Sequence, residues 1–316
     1  MTDLPSFSIV IPTRGRPESL GACLRALSAL EYPADRFEVI VVEDGPSGNA
    51  LKPKTLKPHF DALNLRHIQQ DHAGPAAARN RGAAAAGNSY LAFTDDDCRP
   101  DPGWLRALAR QFDQTPGAMA GGRTENGVDG NSYSEASQLL VGYIYEHFLR
   151  EDRPFFASNN LSIARKSFHR LGGFSNHFQM AAGEDRDFCD SCLHQGVELV
   201  YVPKAVIRHH HSLSAREFLR QHFNYGRGAY IHHRTRASRG AGRIRLESLR
   251  FYLDLLRYPY TTDCEGHSAF VSSLMFLSQI ANAAGFFLEK LCRFRSGTTA
   301  ISNGGVTSSQ QASRGP

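Results

Sequence analysis

The strongest constraint in this sequence is a set of short apolar runs that alternate with helical stretches and end in polar residues. Phe7–Pro12, Phe37–Val42 and Tyr90–Thr94 are apolar and rich in β-branched or aromatic side chains, which predicts buried strands. Leu65–Gln69 predicts a weaker strand. Between them lie Pro17–Leu30, Gly74–Ala86 and Pro102–Phe112, which read as helices; in the first, Leu20, Cys23, Leu24, Leu27 and Leu30 share one face. This alternation indicates βαβ units. The expected fold class is therefore α/β, with a mostly parallel central sheet flanked by helices. In such sheets ligands bind beyond the carboxyl ends of the strands. Polar clusters stand at those ends here: Thr13-Arg14, Glu43-Asp44 and Asp95-Asp96-Asp97.

The second half is less regular. Gly130–Leu149 reads as a helix, Ser158–Ala164 as a strand and Lys166–Leu171 as a short helix. Glu184–His194 predicts a helix, Glu198–Val202 and Ala205–His209 two strands, and Ser214–Arg234 a helix interrupted at Gly226 and Gly228. Leu246–Leu256 is a further helix. Ser268–Leu288 has no formal charge, and its length is that of a bilayer span, about 20 residues. Its Ser, Gln and Asn side chains suit an amphipathic helix better, packed on the body or lying on a membrane. Residues 296–316 are rich in Ser, Gly, Thr and Gln, the composition of a disordered tail.

Hydrophobic residues make up 41% of the 316, enough to exclude a disordered chain. The net charge of +5 is unevenly placed. Residues 201–260 carry twelve Lys and Arg against three Asp and Glu, a net +9, so the remainder is mildly acidic. Such a block suggests an anionic partner: phosphate, nucleic acid or a lipid surface. Six scattered cysteines argue against a disulfide framework and for a reducing compartment. The N-terminus shows no signal-peptide pattern and runs straight into the first strand.

Three adjacent carboxylates at 95–97 repel one another and call for a nearby cation. Hard oxygen ligands suit Mg2+ or Mn2+, although a solvated acidic turn has the same composition. A carboxylate in Glu43-Asp44-Gly45 can accept from a nucleobase or a ribose, while Asp-Gly also favours a plain turn. In Ala73–Gly82 (AGPAAARNRG), Arg79 and Arg81 can reach a phosphate, or the stretch is an Ala-rich packing helix. No G-x-G-x-x-G follows the first strand, which disfavours a nicotinamide-dependent dehydrogenase. Cys189-x-x-Cys192 lacks a second pair and reads as two core thiols on a helix. In His209-His210-His211, the outer two would share a face of a strand.

Taken in order, SFSIVIPTRGRPESL, VIVVEDGPSG, GPAAARNRGAAAA and YLAFTDDDCRPDPGWL resemble the family 2 glycosyltransferases of GT-A fold. SNNLSIARKSF-x-x-LGGF and GEDRDFCDSCLHQG extend the resemblance over about residues 6–212. It implies a nucleotide-diphospho-sugar donor held by Pro12, Thr13, Arg14, Glu43, Asp44, Arg79, Asp95 and Asp96. It implies a divalent metal, Mn2+ or Mg2+, on Asp97, joined by His209 or His211; three consecutive Asp leave open whether Asp96 or Asp97 ligates. It implies Asp185 as the base of an inverting transfer, with Glu184 beside it raising its proton affinity, and an acceptor side at Asn160, Gly173 and Phe174.

The expected organisation is a catalytic domain at 1–212, a basic and amphipathic helical appendage at 213–295 and the tail at 296–316. The acceptor would be a glycan, a lipid-linked molecule or a small metabolite, with cell-surface glycan synthesis as the setting. Processive members carry Q-x-x-R-W; Gln221-His222-Phe223-Asn224-Tyr225 lacks its Arg and Trp. In the basic segment, Arg227 can reach the donor diphosphate, or aromatics among the Arg can stack bases. The favoured expectation is a cytoplasmic protein touching the membrane's cytoplasmic face through 214–290, with no nucleic acid. The competing readings are a non-catalytic nucleotide-sugar binder and a nucleic-acid-binding protein.

Overall fold

The computed structural model describes residues 4–45, 63–151, 153–178, 182–240, 247–262, 264 and 267–302. The Lys-Pro stretch near 52–58 and residues 303–316 of the expected tail lie outside them.

Eight strands form one sheet in the order β3-β2-β1-β4-β7-β6-β8-β5. They are β1 (Phe7–Thr13), β2 (Phe37–Asp44), β3 (Leu65–Gln70), β4 (Tyr90–Phe93), β5 (Cys98–Pro100), β6 (Met119–Asn126), β7 (Leu161–Ala164) and β8 (Leu199–His209). β3, β2, β1 and β4 pair in parallel, and β6 pairs in parallel with β8. β7 and β5 run against their neighbours. The sheet is mostly parallel, as the alternation predicts.

Helix α1 (Pro17–Ser28) opens with Pro at its first position, and α3 (Trp104–Gln114) packs beside it on one face of the sheet. There Phe7, Ile9 and Ile11 of β1 meet Leu20, Leu24, Trp104 and Leu108. On the other face α2 (Pro75–Ala85) lies over β1 and β2, and α6 (Glu184–His194) joins Phe93, Phe168, Phe174 and Phe188 in an aromatic cluster. Small residues in α2 allow this approach: a Cβ on Gly82 would stand 2.4 Å from Val10. Cys189 and Cys192 are buried in the same cluster, which supports the reading of two core thiols.

Several parts of the sheet differ from expectation, including the short β5. β6 (MAGGRTEN) has no apolar run to announce it. It needs Gly121 because a Cβ there would fall 1.9 Å from Cγ of Phe156, and Gly122 because one would fall 2.2 Å from the carbonyl of Ala205. The two expected strands at 198–209 are one strand, β8, with the irregularity absorbed between Gly122 and Arg123 of β6. Ser158–Asn160 is a 3-10 turn, and β7 starts only at Leu161.

The remaining helices are α4 (Ser132–Arg150), α5 (Arg165–Arg170), α7 (Ala215–Ser238), α8 (Leu249–Arg257) and α9 (Ser268–Ser302). α7 is unbroken through Gly226 and Gly228, and starts with a capping box of Ser214 and Glu217. Its glycines serve contact: the backbone of α9 passes so close that a Cβ on Gly226 would sit 1.8 Å from the Asn282 carbonyl oxygen. Gly285 returns the same approach toward Phe223. Arg227, a candidate diphosphate contact by sequence, pairs with Glu289 of α9. Arg236 and Arg239 pair with Asp190 and Asp187 of α6. Part of the basic block therefore fastens the appendage to the body. α9 continues to Ser302, past residue 296 where the tail was expected. Extending a formed helix costs little per residue, and one interior Gly297 is too small a penalty to end it.

Candidate active site

The carboxyl ends of β1, β2 and β4 bring Thr13, Glu43 and the three aspartates together. Each aspartate has a different fate. Asp95 is one-quarter exposed and receives Nη2 of Arg79 at 2.6 Å. Asp96 is fully buried; it accepts from Thr13 Oγ1 at 2.6 Å and from Arg16 Nε at 3.1 Å. Burial pushes its carboxyl up to about 7 despite Arg16. Asp97 faces two imidazoles, Nε2 of His209 and Nδ1 of His211, each at 3.3 Å. Burial alone would raise its carboxyl, but His209, His211 and Arg16 hold it well below the usual range.

The histidines reach Asp97 because of strand register. His209 ends β8 and is flanked by Cys98 of β5 and Asn126 of β6. His211 approaches from the same side, whereas a Cβ on Gly127 would touch the ring of His210, 2.7 Å away. Asp97, Cys98 and His209 each offer a ligand atom within 4.8 Å of the others. Burial keeps the Cys98 thiol protonated, so it is a poor ligand. Asp97 and His209 offer a carboxylate and an imidazole that fit a divalent cation, while the other Asp97 oxygen, Oδ2, meets both His211 at 3.3 Å and Nη1 of Arg16 at 2.8 Å. Asp96, expected in the donor set, is buried between Thr13 and Arg16, with Nη2 of Arg16 2.5 Å from its Oδ1. Its work is to tie β1 to β4.

Arg79 is also placed differently from expectation. It is buried, and Nη1 meets Oε1 of Glu184 at 3.1 Å while Nη2 holds Asp95. With both terminal nitrogens engaged, it joins the end of β4 to the start of α6. Glu184 is buried against it, and burial, then the charge of Asp185, push its carboxyl up to about 7. Asp185 is half-buried and accepts from its neighbour's amide, Arg186 N, at 2.8 Å. Its proton affinity is raised, chiefly by burial.

At the end of β2 the two acids divide. Asp44 accepts from Ala73 N, Gly74 N, Gln70 Nε2 and His72 Nδ1. Those four bonds fill its acceptor capacity and lower its carboxyl against the effect of burial. Asp44 is thus a clamp on the 73–74 turn, where Gly74 has φ +91°, and not an open donor contact. Glu43 accepts from Gln69 and sits 3.2 Å from His67. Arg14 is exposed at the rim, 3.0 Å from His72, and Pro12 is buried in β1.

The expected acceptor residues Asn160, Gly173 and Phe174 do not line the pocket beside His209. Asn160 is buried with its amide spent on Trp104 Nε1, Arg123 O and Ala205 O. Phe174 lies in the aromatic cluster, and Asn80 brackets its backbone from both sides. Gly173, at φ +72°, packs under the same Asn80. That small pocket, about 80 Å³ and partly open to solvent, runs from His209 and His211 to Tyr225 and Gln221 of α7. Thr124, Asn126, Gln138 and Asn159 line it between. Arg16, His72 and Tyr225 are site residues that sequence reasoning missed. Only proximity in space marks the first two, and in the sequence Tyr225 stands where the processive motif has its Trp.

A profile described as glycosyl transferase family 2 matches residues 8–175, more than half of the chain. A second, described as the N-terminal domain of galactosyltransferase, matches 147–214. The chain is 30% identical over 228 residues to a pre-mycofactocin glycosyltransferase of Mycobacterium tuberculosis, covering 70% of this chain and 46% of that one. It is 26% identical to glycosyltransferase AglE of Haloferax volcanii, covering 71% and 73%. The chain thus spans less than half the length of the first of these relatives. Among solved structures, the mannosyltransferase PcManGT of Pyrobaculum calidifontis, in complex with GDP-Man and Mn2+, superposes with a TM-score of 0.58 at 16% identity, covering 95% and 81%. TarS 1-349 of S. aureus, in complex with UDP-GlcNAc, gives 0.53 at 16%, covering 92% of each.

Proposed function

Because the chain belongs to glycosyl transferase family 2, we propose that it moves a sugar from a nucleotide-diphosphate donor to an acceptor hydroxyl, with inversion at the transferred carbon. One observation carries the reading: a single buried guanidinium, Arg79, joins Asp95 at the end of β4 to Glu184 at the start of α6. Residues 89 positions apart are thereby held in one frame, with Asp185 next to it.

Asp185 takes the proton from the attacking hydroxyl. Burial raises its proton affinity toward working pH, where a general base is most effective. Glu184 and Arg79 are positioning residues that fix the start of α6. Glu43 and Asp95 accept hydrogen bonds from the nucleoside, as their places at the strand ends allow. Asp97 and His209 would hold the cation, with His211 at the other oxygen of Asp97. Their mixed carboxylate and imidazole donors favour Mn2+ over the oxygen-loving Mg2+. When bound, a divalent cation offsets the charge of the leaving diphosphate. The amides and hydroxyls of the pocket suit a hydroxyl-rich acceptor. The printed donors of the structural neighbours, GDP-Man and UDP-GlcNAc, support the donor class without selecting a sugar.

Turnover of GDP- and UDP-sugars with Mn2+ tests this in wild type, Asp185→Asn and Asp97→Ala. Asp185→Asn should lose about 10²- to 10⁴-fold in turnover with donor binding intact. Asp97→Ala should lose the response to Mn2+. Undiminished transfer in either variant would reject the role assigned to that residue.

A further inference from the structure

We propose that the outward face of α9 lies flat on an anionic lipid bilayer, with the exposed face of α8 contributing to the contact. The proposal does not depend on the sugar-transfer reading. From Phe276 to Phe294 the exposed positions of α9 recur every three or four residues. Phe276, Ile280, Phe287, Leu288, Leu291 and Phe294 stand 45–76% exposed. They form an apolar stripe about 27 Å long at 1.5 Å per residue. An uncovered stripe of that size is unusual on a soluble surface.

The helix is apolar and long enough to span a bilayer, but its inner face argues against spanning. Gly285 is in backbone contact with α7, and Glu289 is buried in pairs with Arg227 and Arg293. Leaving α7 would place Glu289 and Asn282 in hydrocarbon. A helix with one face on protein and one apolar face outward instead fits the interface plane.

Charge selects the lipid. Lys290 and Arg293 are exposed at the far end of the stripe. On α8, exposed Leu249 and Leu253 alternate with Arg250 and Arg257, and Tyr260 follows. The acids nearby, Glu289 and Asp254, are engaged by arginines. An apolar stripe with a cationic edge matches acyl chains below anionic headgroups. A second copy packed across the same face would set two cationic edges close together.

The test is co-sedimentation of the full chain with vesicles of phosphatidylcholine, with or without phosphatidylglycerol. Binding should be strong only with phosphatidylglycerol and should weaken with salt. Phe276→Glu with Phe287→Glu, both at exposed positions, should abolish it while the circular dichroism spectrum is unchanged. Lys290→Glu should weaken it about fivefold or more, the contribution of one near-surface cation. Wild type left in the supernatant with both vesicles would overturn the proposal. So would a stripe variant that binds as well as wild type. A wild-type dimer by light scattering that becomes monomeric in the stripe variant, with no vesicle binding, would assign the stripe to a second copy instead.

Discussion

Replacing Arg79 with Met keeps an unbranched apolar stem and removes the guanidinium whose charge Asp95 and Glu184 share. Arg79 and Glu184 are both almost fully buried, and Asp95 mostly so. Removing one partner of a buried ion pair costs about 3–5 kcal/mol, because the other charge stays buried and unpaired. The loss should depend on pH with a definite sign. The folded-state carboxyl of Glu184 is raised from its ordinary 4.5 to about 7. Between those values the folded protein binds a proton that the unfolded chain has released, so stability falls as pH rises through the interval. Without Arg79 the carboxyl rises further, so the penalty of Arg79→Met should be larger at pH 8 than at pH 5.5. Adding Glu184→Gln removes the stranded charge and should recover about 1–3 kcal/mol, the coupling typical of contacting groups. Urea unfolding of the four proteins of this cycle, at both pH values, reads these quantities. A loss below about 1 kcal/mol at pH 8, or no recovery in the double variant, would refute the reasoning.

Gly121→Ala should destabilise by about 1–3 kcal/mol through overpacking against Phe156, and Phe156→Leu in the same chain should restore part of that in urea unfolding. His222 is buried with both ring nitrogens unsatisfied, and burial pushes it down from 6.5 to about 4. Its stabilising effect is therefore complete above pH 6.5 and falls toward pH 4, by up to about 3 kcal/mol for a shift of this size. His222→Phe should flatten this acid limb relative to wild type in thermal unfolding at pH 5 and pH 8; parallel curves would contradict it. Asp44→Ala should release the 73–74 turn and cost more than the roughly 1 kcal/mol of one hydrogen bond, since four bonds end on that carboxylate. Measured loss below that value would show the turn to be held by other contacts.

The parallel half of the sheet was legible because its strands are buried on both faces and read as unbroken apolar runs, as in FSIVIP and FEVIVV. β6 was illegible because its glycines answer to Phe156 and Ala205, which are distant in sequence. At the site, residue type located the acids at the strand ends but not their directions. Asp95, Asp96 and Asp97 look alike in sequence and point to a buried arginine, a buried threonine and a histidine pair. Asn160 and Phe174 resemble acceptor residues by motif and are spent on the core. Asp185 was distinguishable from an ordinary acidic helix start only through family resemblance, since acids at a helix N-terminus are favourable by themselves.

The six thiols fall into three classes that form a chemical clock for opening of the molecule. Cys292 is exposed and Cys264 half-buried, so a thiol reagent should label these first in the native state. Cys23 and Cys98 are sealed under one face of the sheet, Cys189 and Cys192 under the other. Their thiols react only when the layer above them parts from the strands. The rates of the two pairs, followed by mass spectrometry, should therefore report separately how often each side of the sheet is uncovered.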